Sequence, residues 1–149
     1  MKCLKLIFCL LYLCCSLADA KEVQVDAQKE VDEMTGRLVA SYLEAKVDED
    51  IIAGYASALR SDGSFPDLDY VTVHEGSSYP AGSHLKRLKL MAIAYRKPGN
   101  KYYNSGRLLK QIVAGIDYWY RVRPKSGNWW FGDIGAPQDY MVPLILLKG

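Results

Sequence analysis

The sequence predicts an all-α fold made of antiparallel helix pairs, and three observations support this. Apolar residues recur at intervals of three and four, which is the spacing of one face of a helix. The apolar segments are separated by short breaks rich in glycine, proline, aspartate and serine. No segment shows the sustained apolar–polar alternation of half-buried strands. A chain of 149 residues is long enough for one domain of ordinary size.

The first half of the chain predicts two helices and a loop. An apolar stripe indicates a first helix over about residues 24 to 46, formed by Val31, Met34, Leu38, Tyr42 and Ala45. Asp48 has the side chain of an N-cap for a second helix, with a stripe of Ile51, Ile52, Tyr55, Ala56 and Leu59. Turn residues end that helix at residues 61–66, and glycines and prolines make 61–82 a long loop.

Three further helices are predicted in the second half. Ser83 can cap the third, with Leu85, Leu88, Met91, Ala92 and Tyr95 facing inward. The fourth covers about residues 105 to 121 and has a wide apolar face. The fifth starts near Pro137, a residue suited to a first helical turn. Its apolar residues are Met141, Leu144, Ile145 and Leu147, while Leu146 is expected to face elsewhere.

The first twenty residues predict a secretory signal peptide. Lys2 and Lys5 precede the apolar run 6–13, and Ala18-Asp19-Ala20 is a small-x-small cleavage site. The apolar run is too short to cross a bilayer comfortably, and a lipid anchor at Cys14 or Cys15 is the weaker alternative. We therefore expect residues 21–149 to form the mature, secreted or periplasmic protein, with no membrane partner after cleavage. All four cysteines lie in the signal segment, so the mature chain would hold no disulfide.

Composition argues against several classes of function. A formal net charge of +2 without a Lys/Arg run gives no basis for a nucleic-acid partner. His74 and His84 have no Cys, Asp or Glu at metal-ligand spacing, so no metal site is expected. Asp62, Asp67 and Asp69 do not have the spacing of a calcium loop and are predicted to be turn residues. Neither a phosphate-binding glycine-rich loop nor a nucleophile elbow is present, so no cofactor is predicted.

The most informative motif is Asn128-Trp129-Trp130, which stands between glycine-containing turns. Neighbouring side chains cannot share one face of a regular helix or strand, so a loop leading into a helix is predicted. From spacing alone, two tryptophans are more often core residues than ligands. The functional alternative is sugar binding, because C–H faces of sugars pack on indoles and an asparagine amide can bond a hydroxyl or carboxylate. Asn128 could instead cap or brace the loop.

Residues Leu59–Gly149 resemble the N-terminal helical domain of polysaccharide lyase family 8, the family of chondroitin AC, hyaluronate and xanthan lyases. The resemblance rests on the order of several motifs, of which the double tryptophan with Ile-Gly-Ala-Pro behind it is the most specific. They are Leu59-Arg60-Ser61-Asp62-Gly63-Ser64-Phe65, His84-Leu85, Tyr118-Trp119-Tyr120, Asn128-Trp129-Trp130 and Ile134-Gly135-Ala136-Pro137. Residues 21–58 fit the family only by helical pattern.

The resemblance implies part of an incomplete (α/α) toroid and a role in β-elimination at a uronic acid. It assigns substrate binding to Asn128, Trp129 and Trp130 as a patch in the cleft, with an acidic, glycosaminoglycan-like polysaccharide as partner. The catalytic Asn, His, Tyr and Arg of the family come from helices after this motif. No catalytic residue is therefore predicted in this chain. A non-catalytic glycan-binding helical module and a decayed structural fragment are the alternatives.

Overall fold

A computed structural model describes residues 27–148, and the predicted signal peptide lies outside this range. The described residues form five α-helices and no strand, which confirms the all-α prediction. The helices are α1 (27–43), α2 (Glu49–Ala58), α3 (Ser83–Arg96), α4 (Gly106–Val122) and α5 (Ala136–Leu147). Of the described residues, 27–40 belong to one compact unit and 41–148 to another.

Helix α2 begins where the sequence predicted. The Asp48 side chain accepts hydrogen bonds from the backbone N–H groups of Asp50 and Ile51, both at 3.1 Å. These bonds satisfy two donors that the first turn of a helix leaves unpaired. The predicted stripe is only partly correct, because Ile52 is buried while Ile51 is exposed.

Helix α3 is the central helix of the larger unit and packs against α2, α4 and α5. Its buried residues are His84, Leu85, Leu88, Met91, Ala92, Ile93 and Ala94. The prediction that Ser83 caps this helix is wrong. A 3-10 turn at Pro80–Gly82 runs directly into α3, so the backbone is already helical at Gly82. A cap needs an extended residue at the boundary, and the sequence pattern did not reveal this turn.

Helix α4 supplies the facing side of the core. Ser105 caps it by accepting a bond from the Leu108 N–H at 3.3 Å, and its buried residues are Leu108, Ile112, Gly115, Ile116 and Trp119. The loop before α3 contacts the backbone of α4 at Gly63, which has a φ of 91°. A Cβ at Gly63 would lie 2.0 Å from the Ala114 carbonyl oxygen. Only glycine permits both this conformation and this approach.

Helix α5 presents a different face to the core from the one predicted. Leu146 is completely buried, together with Val142 and Pro143, whereas Met141 and Leu144 are exposed. Because α5 is apolar on most sides, periodicity alone could not identify its inward face. Its contacts with α3 decide the matter. None of the helices in the described range is long and apolar enough to span a membrane.

Candidate functional site

Trp129 and Trp130 stand in the first turn of a helical stretch that continues into α5. The sequence predicted a loop leading into a helix, and this prediction is wrong for the two tryptophans because the helical stretch already begins at Trp129. Both side chains are nevertheless open to solvent, with 67% of Trp129 and 43% of Trp130 exposed. Consecutive helical residues project about 100° apart, so the two indoles present neighbouring, non-coincident surfaces.

Asn128 caps this helical turn. Its Oδ1 accepts a hydrogen bond from the backbone N–H of Trp130 at 2.9 Å. Its Nδ2 donates to the Gly76 carbonyl at 2.8 Å. The cap interpretation raised from the sequence is thus correct, but an amide has further capacity: one N–H and one oxygen lone pair. Asn128 can hold the tryptophan pair in place and still contact a ligand.

The loop 61–82 supports the tryptophan segment from behind. The Gly127 N–H donates to the His74 carbonyl at 3.0 Å. The Tyr79 hydroxyl donates to the Pro124 carbonyl at 2.9 Å. Together with the Asn128 amide, these bonds tie the loop to the chain just before Trp129, so the exposed indoles rest on a fixed backbone.

A π-helical turn, Phe131–Gly135, joins the tryptophans to α5. The Ala136 N–H donates to the Phe131 carbonyl, five residues earlier. The wide turn inserts one residue into the helical register. As a result Trp129 and Trp130 can face solvent while Val142 and Leu146 face the core.

Gly135 gives the Trp130 indole its position. A Cβ at Gly135 would lie 2.7 Å from the indole Cζ3, closer than real Cβ contacts allow. The Phe131 ring meets Trp130 edge to face, with centroids 5.3 Å apart. Tyr79 lies against Phe131 at 5.5 Å. The indole is therefore held between a glycine and a stack of rings.

The Trp130 side chain forms one wall of a small hollow of about 150 Å³. Its apolar lining continues through Tyr79, Gly82, Phe131, Gly135 and Ala136, and its polar groups come from Lys86, Gln138 and Asp139. A second hollow of about 330 Å³ lies beside it, between Trp119, Tyr120, Arg123, Pro137 and Tyr140. Sequence reasoning missed Lys86, Tyr79 and Gln138, because only the packing of α3 on α5 places them near Trp130.

His84 belongs to the core and not to this surface. It is completely buried, and its Nε2 lies 2.9 Å from the Gly115 carbonyl oxygen. A carbonyl can only accept, so Nε2 carries the proton and Nδ1 accepts from the Tyr70 hydroxyl at 2.9 Å. Burial lowers the pKa of His84 to about 4, since the surroundings penalise the charged ring.

Tyr70 extends this buried chain of hydrogen bonds. Its hydroxyl oxygen accepts from the Phe65 N–H at 2.9 Å while its proton goes to His84. Burial raises the pKa of Tyr70 to about 12. The hydroxyl is therefore already bonded and resists ionisation, which suits a structural link.

The aspartates in the loop 61–82 are also occupied structurally. Asp62 accepts from the Ser64 N–H at 2.9 Å and the Ser64 hydroxyl at 2.7 Å. Asp69 accepts from the N–H groups of Val71 and Thr72. Turn formation was predicted for both, and these bonds confirm it. Asp67 also lies in a turn, as predicted, closed by the bond from the Leu68 N–H to the Phe65 carbonyl at 3.2 Å. Its side chain forms a bidentate ion pair with Arg87. Within 27–148 no cluster of three or more His, Cys, Asp or Glu side chains could hold a metal ion.

Comparison with known proteins identifies relatives of this chain. Residues 26–149 match the family model of polysaccharide lyase family 8, N-terminal alpha-helical domain. Chondroitinase-AC of Pedobacter heparinus is 34% identical over 92 residues, covering 62% of this chain and 13% of the relative. Hyaluronate lyase HylB of Enterococcus faecalis is 28% identical over 91 residues, covering 56% of this chain and 9% of the relative. The chain thus spans a small part of each enzyme's length.

A solved structure shows the same fold. The chain is similar to a chondroitinase AC lyase studied in enzyme–oligosaccharide complexes, with a TM-score of 0.69 and 28% identity. The similarity covers 78% of this chain and 17% of that one. It confirms antiparallel helix pairs that form part of an (α/α) toroid. The chain belongs to polysaccharide lyase family 8, and residues 26–149 correspond to the N-terminal alpha-helical domain of that family.

Proposed function

We propose that this chain is the N-terminal part of an exported polysaccharide lyase and binds a uronic-acid-containing glycan of the chondroitin or hyaluronan type. Asn128, Trp129 and Trp130 form the binding surface. The observation that carries the proposal is the exposure of two adjacent indoles on a backbone held by three hydrogen bonds from the loop 61–82. Leaving so much apolar surface exposed forgoes the stabilisation that burial would give, which suggests that a ligand covers it.

The chemistry proposed for the complete enzyme is β-elimination. A base removes the proton from the carbon beside the uronic carboxylate, the bond to the glycosidic oxygen breaks, and that oxygen takes up a proton. The product is an unsaturated sugar. The step needs a group that neutralises the carboxylate and a base that reaches the carbon-bound proton.

His84 and Tyr70, residue types that such a step could use, do not suit these roles. His84 is buried, bonded at both ring nitrogens and hard to protonate. Tyr70 is bonded to it and hard to ionise. We therefore propose that these 149 residues bind the glycan without cleaving it.

Binding is tested by titrating the folded chain with defined chondroitin and hyaluronan oligosaccharides, using calorimetry and indole fluorescence. Saturable binding that is lost in Trp130→Ala supports the proposal. Tyr103→Ala is the matched control, because Tyr103 is an exposed ring that lines none of the hollows beside the tryptophans. Equal affinities for the wild type and both variants would contradict the proposed site.

Cleavage is tested separately through the ultraviolet absorbance of the unsaturated product. The purified chain should leave the absorbance of a chondroitin or hyaluronan solution unchanged. An increase in absorbance that depends on a tyrosine side chain would show that a catalytic group lies within these residues. A non-catalytic glycan-binding module would also bind the glycan without cleaving it. This measurement therefore tests whether these residues bind without cleaving, and it does not test membership of the lyase family.

A further inference from the structure

We infer that the hollow between Trp130 and Lys86 is an acidic-sugar subsite, in which Lys86 recognises the anionic group of one sugar unit. This inference rests on the proposed function, since it concerns the same glycan. It adds a residue that determines specificity and lies on a different helix from the tryptophans.

The size of the hollow favours a single sugar unit. Pockets that enclose drug-sized ligands are roughly 300 to 1,000 Å³, and this one is about 150 Å³. Its mostly apolar wall comes from Trp130, Phe131 and Tyr79. Such a wall suits the C–H face of a sugar ring, and the polar groups at the edge suit its substituents.

Charge makes the subsite selective for an acid. Lys86 and Asp139 are the two ionisable side chains of opposite sign in its lining, apart from the phenol of Tyr79. The Asp139 carboxylate lies 3.9 Å from the ammonium of Lys89, a residue on the same face of α3 as Lys86. The charge of Lys89 therefore offsets the charge of Asp139. Across residues 27–148 the Lys86 ammonium forms no ion pair or hydrogen bond. Lys86 is therefore the cation in this lining that is available to bind a carboxylate or a sulfate.

Gly135 keeps the subsite open. It lies in the lining, and a Cβ there would collide with the Trp130 ring at 2.7 Å. A methyl group would push the indole out of its present position without removing it. Gly132 lies in the same π-helical turn and has nothing within 4 Å of its Cβ position. The chain therefore provides a matched pair of glycines for testing the wall.

The first experiment compares Lys86→Gln with Lys110→Gln, an exposed lysine on α4. Affinities are measured for three oligosaccharides of equal length: unsulfated hyaluronan, chondroitin sulfate and carboxyl-reduced, unsulfated chondroitin. We expect Lys86→Gln to weaken binding of the acidic sugars by about two- to fivefold at low salt, the range of exposed ion pairs. The effect should shrink at high ionic strength and be absent for the neutral sugar.

The acidic sugars also distinguish the two anions. If Lys86→Gln loses affinity for hyaluronan, the carboxylate is the partner of Lys86. If it loses affinity for chondroitin sulfate alone, the sulfate is the partner. If Lys86→Gln and Lys110→Gln bind all three sugars alike while Trp130→Ala loses binding, the subsite is wrong and the proposed function stands. If the wild-type chain binds none of the sugars, the proposed function fails and this inference fails with it.

The second experiment compares Gly135→Ala with Gly132→Ala. Gly135→Ala should shift the indole fluorescence and weaken acidic-sugar binding several-fold, whereas Gly132→Ala should leave both unchanged. Circular dichroism of each variant checks that the helices persist. Wild-type affinity in a folded Gly135→Ala variant would show that the position of the Trp130 ring is not part of the site.

Discussion

Two aromatic regions of this molecule place the same residue types in opposite environments. In the buried region, Tyr118 and Trp119 stack on His84, with ring centroids 5.9 and 5.5 Å away. Only 8% of Trp119 is exposed. In the exposed region, Trp129 and Trp130 show most or nearly half of their surface to solvent. The difference lies in what covers each ring, which tertiary structure decides and residue type does not.

The polar groups of the two regions differ in the same sense. In the buried cluster a chain of hydrogen bonds from Phe65 through Tyr70 and His84 to Gly115 leaves each polar group paired. Beside the exposed indoles, Asn128 keeps bonding capacity and the Lys86 ammonium has no partner within 27–148. Satisfied polar groups stabilise a core, while unsatisfied ones at a surface are available to a ligand.

The largest effect on folding should come from the buried tryptophan. Trp119→Ala removes a large core side chain and leaves a cavity beside His84 and Tyr79, which should lower the free energy of unfolding by roughly 3–5 kcal/mol. Denaturant unfolding measures this change. A loss no larger than that of Trp129→Ala would remove the contrast between the two regions.

The next effect is a dependence of stability on pH that comes from His84. Its pKa is about 4 in the folded chain and 6.5 for the unperturbed side chain. The unfolded state therefore binds a proton that the folded state does not, and stability falls as the pH drops from about 6.5 towards 4. The loss should be on the order of 3 kcal/mol.

Denaturant unfolding at a series of pH values tests this expectation. The carboxylates of Asp62, Asp67 and Asp69 have lowered pKa values, so their contribution is lost mainly below that window. His84→Gln should flatten the decline between pH 6.5 and 4. An unchanged decline in this variant would mean that another group causes it.

A smaller loss is expected when the buried hydrogen-bond chain is broken at Tyr70. Tyr70→Phe keeps the ring but removes the donor to His84 Nδ1 and the acceptor of the Phe65 N–H. Leaving buried polar groups unpaired should cost about 1–3 kcal/mol of unfolding free energy. Tyr118→Phe is the control, because the Tyr118 ring packs against Tyr70 and His84 but its hydroxyl is not in this chain of bonds. Equal losses in the two variants would contradict the role given to the Tyr70 hydroxyl.

The smallest stability effect should come from the cap. Asn128→Ala removes the bonds to Trp130 and Gly76 and should cost about 1 kcal/mol, whereas Asn128→Asp keeps an oxygen acceptor and should cost less. Glycan affinity should fall in Asn128→Ala by more than the change in folded fraction explains. If affinity follows only the folded fraction, Asn128 acts as a cap and nothing more.

The sequence predicted the helices better than the surfaces they present. Asp48 and the turn aspartates were identified because their effects are local to a few residues. The inward face of α5 was missed because Met141, Leu144 and Leu146 are all apolar and only contact with α3 distinguishes them. Lys86 was missed for a related reason: it lies 44 positions from Trp130, and only the packed helices bring the two to one hollow.

The central claim is that Trp129 and Trp130 bind the ligand, whereas Trp119 stabilises the fold. Its most direct test is to measure unfolding free energy and oligosaccharide affinity together for Trp129→Ala and Trp130→Ala, with Trp119→Ala as reference. We predict that at least one of the exposed variants loses about 1–3 kcal/mol of glycan-binding free energy, the scale of burying a large side chain. Each should lose less stability than Trp119→Ala. If both variants unfold as readily as Trp119→Ala, and their affinity follows only the folded fraction, the pair is part of the core and the claim is wrong.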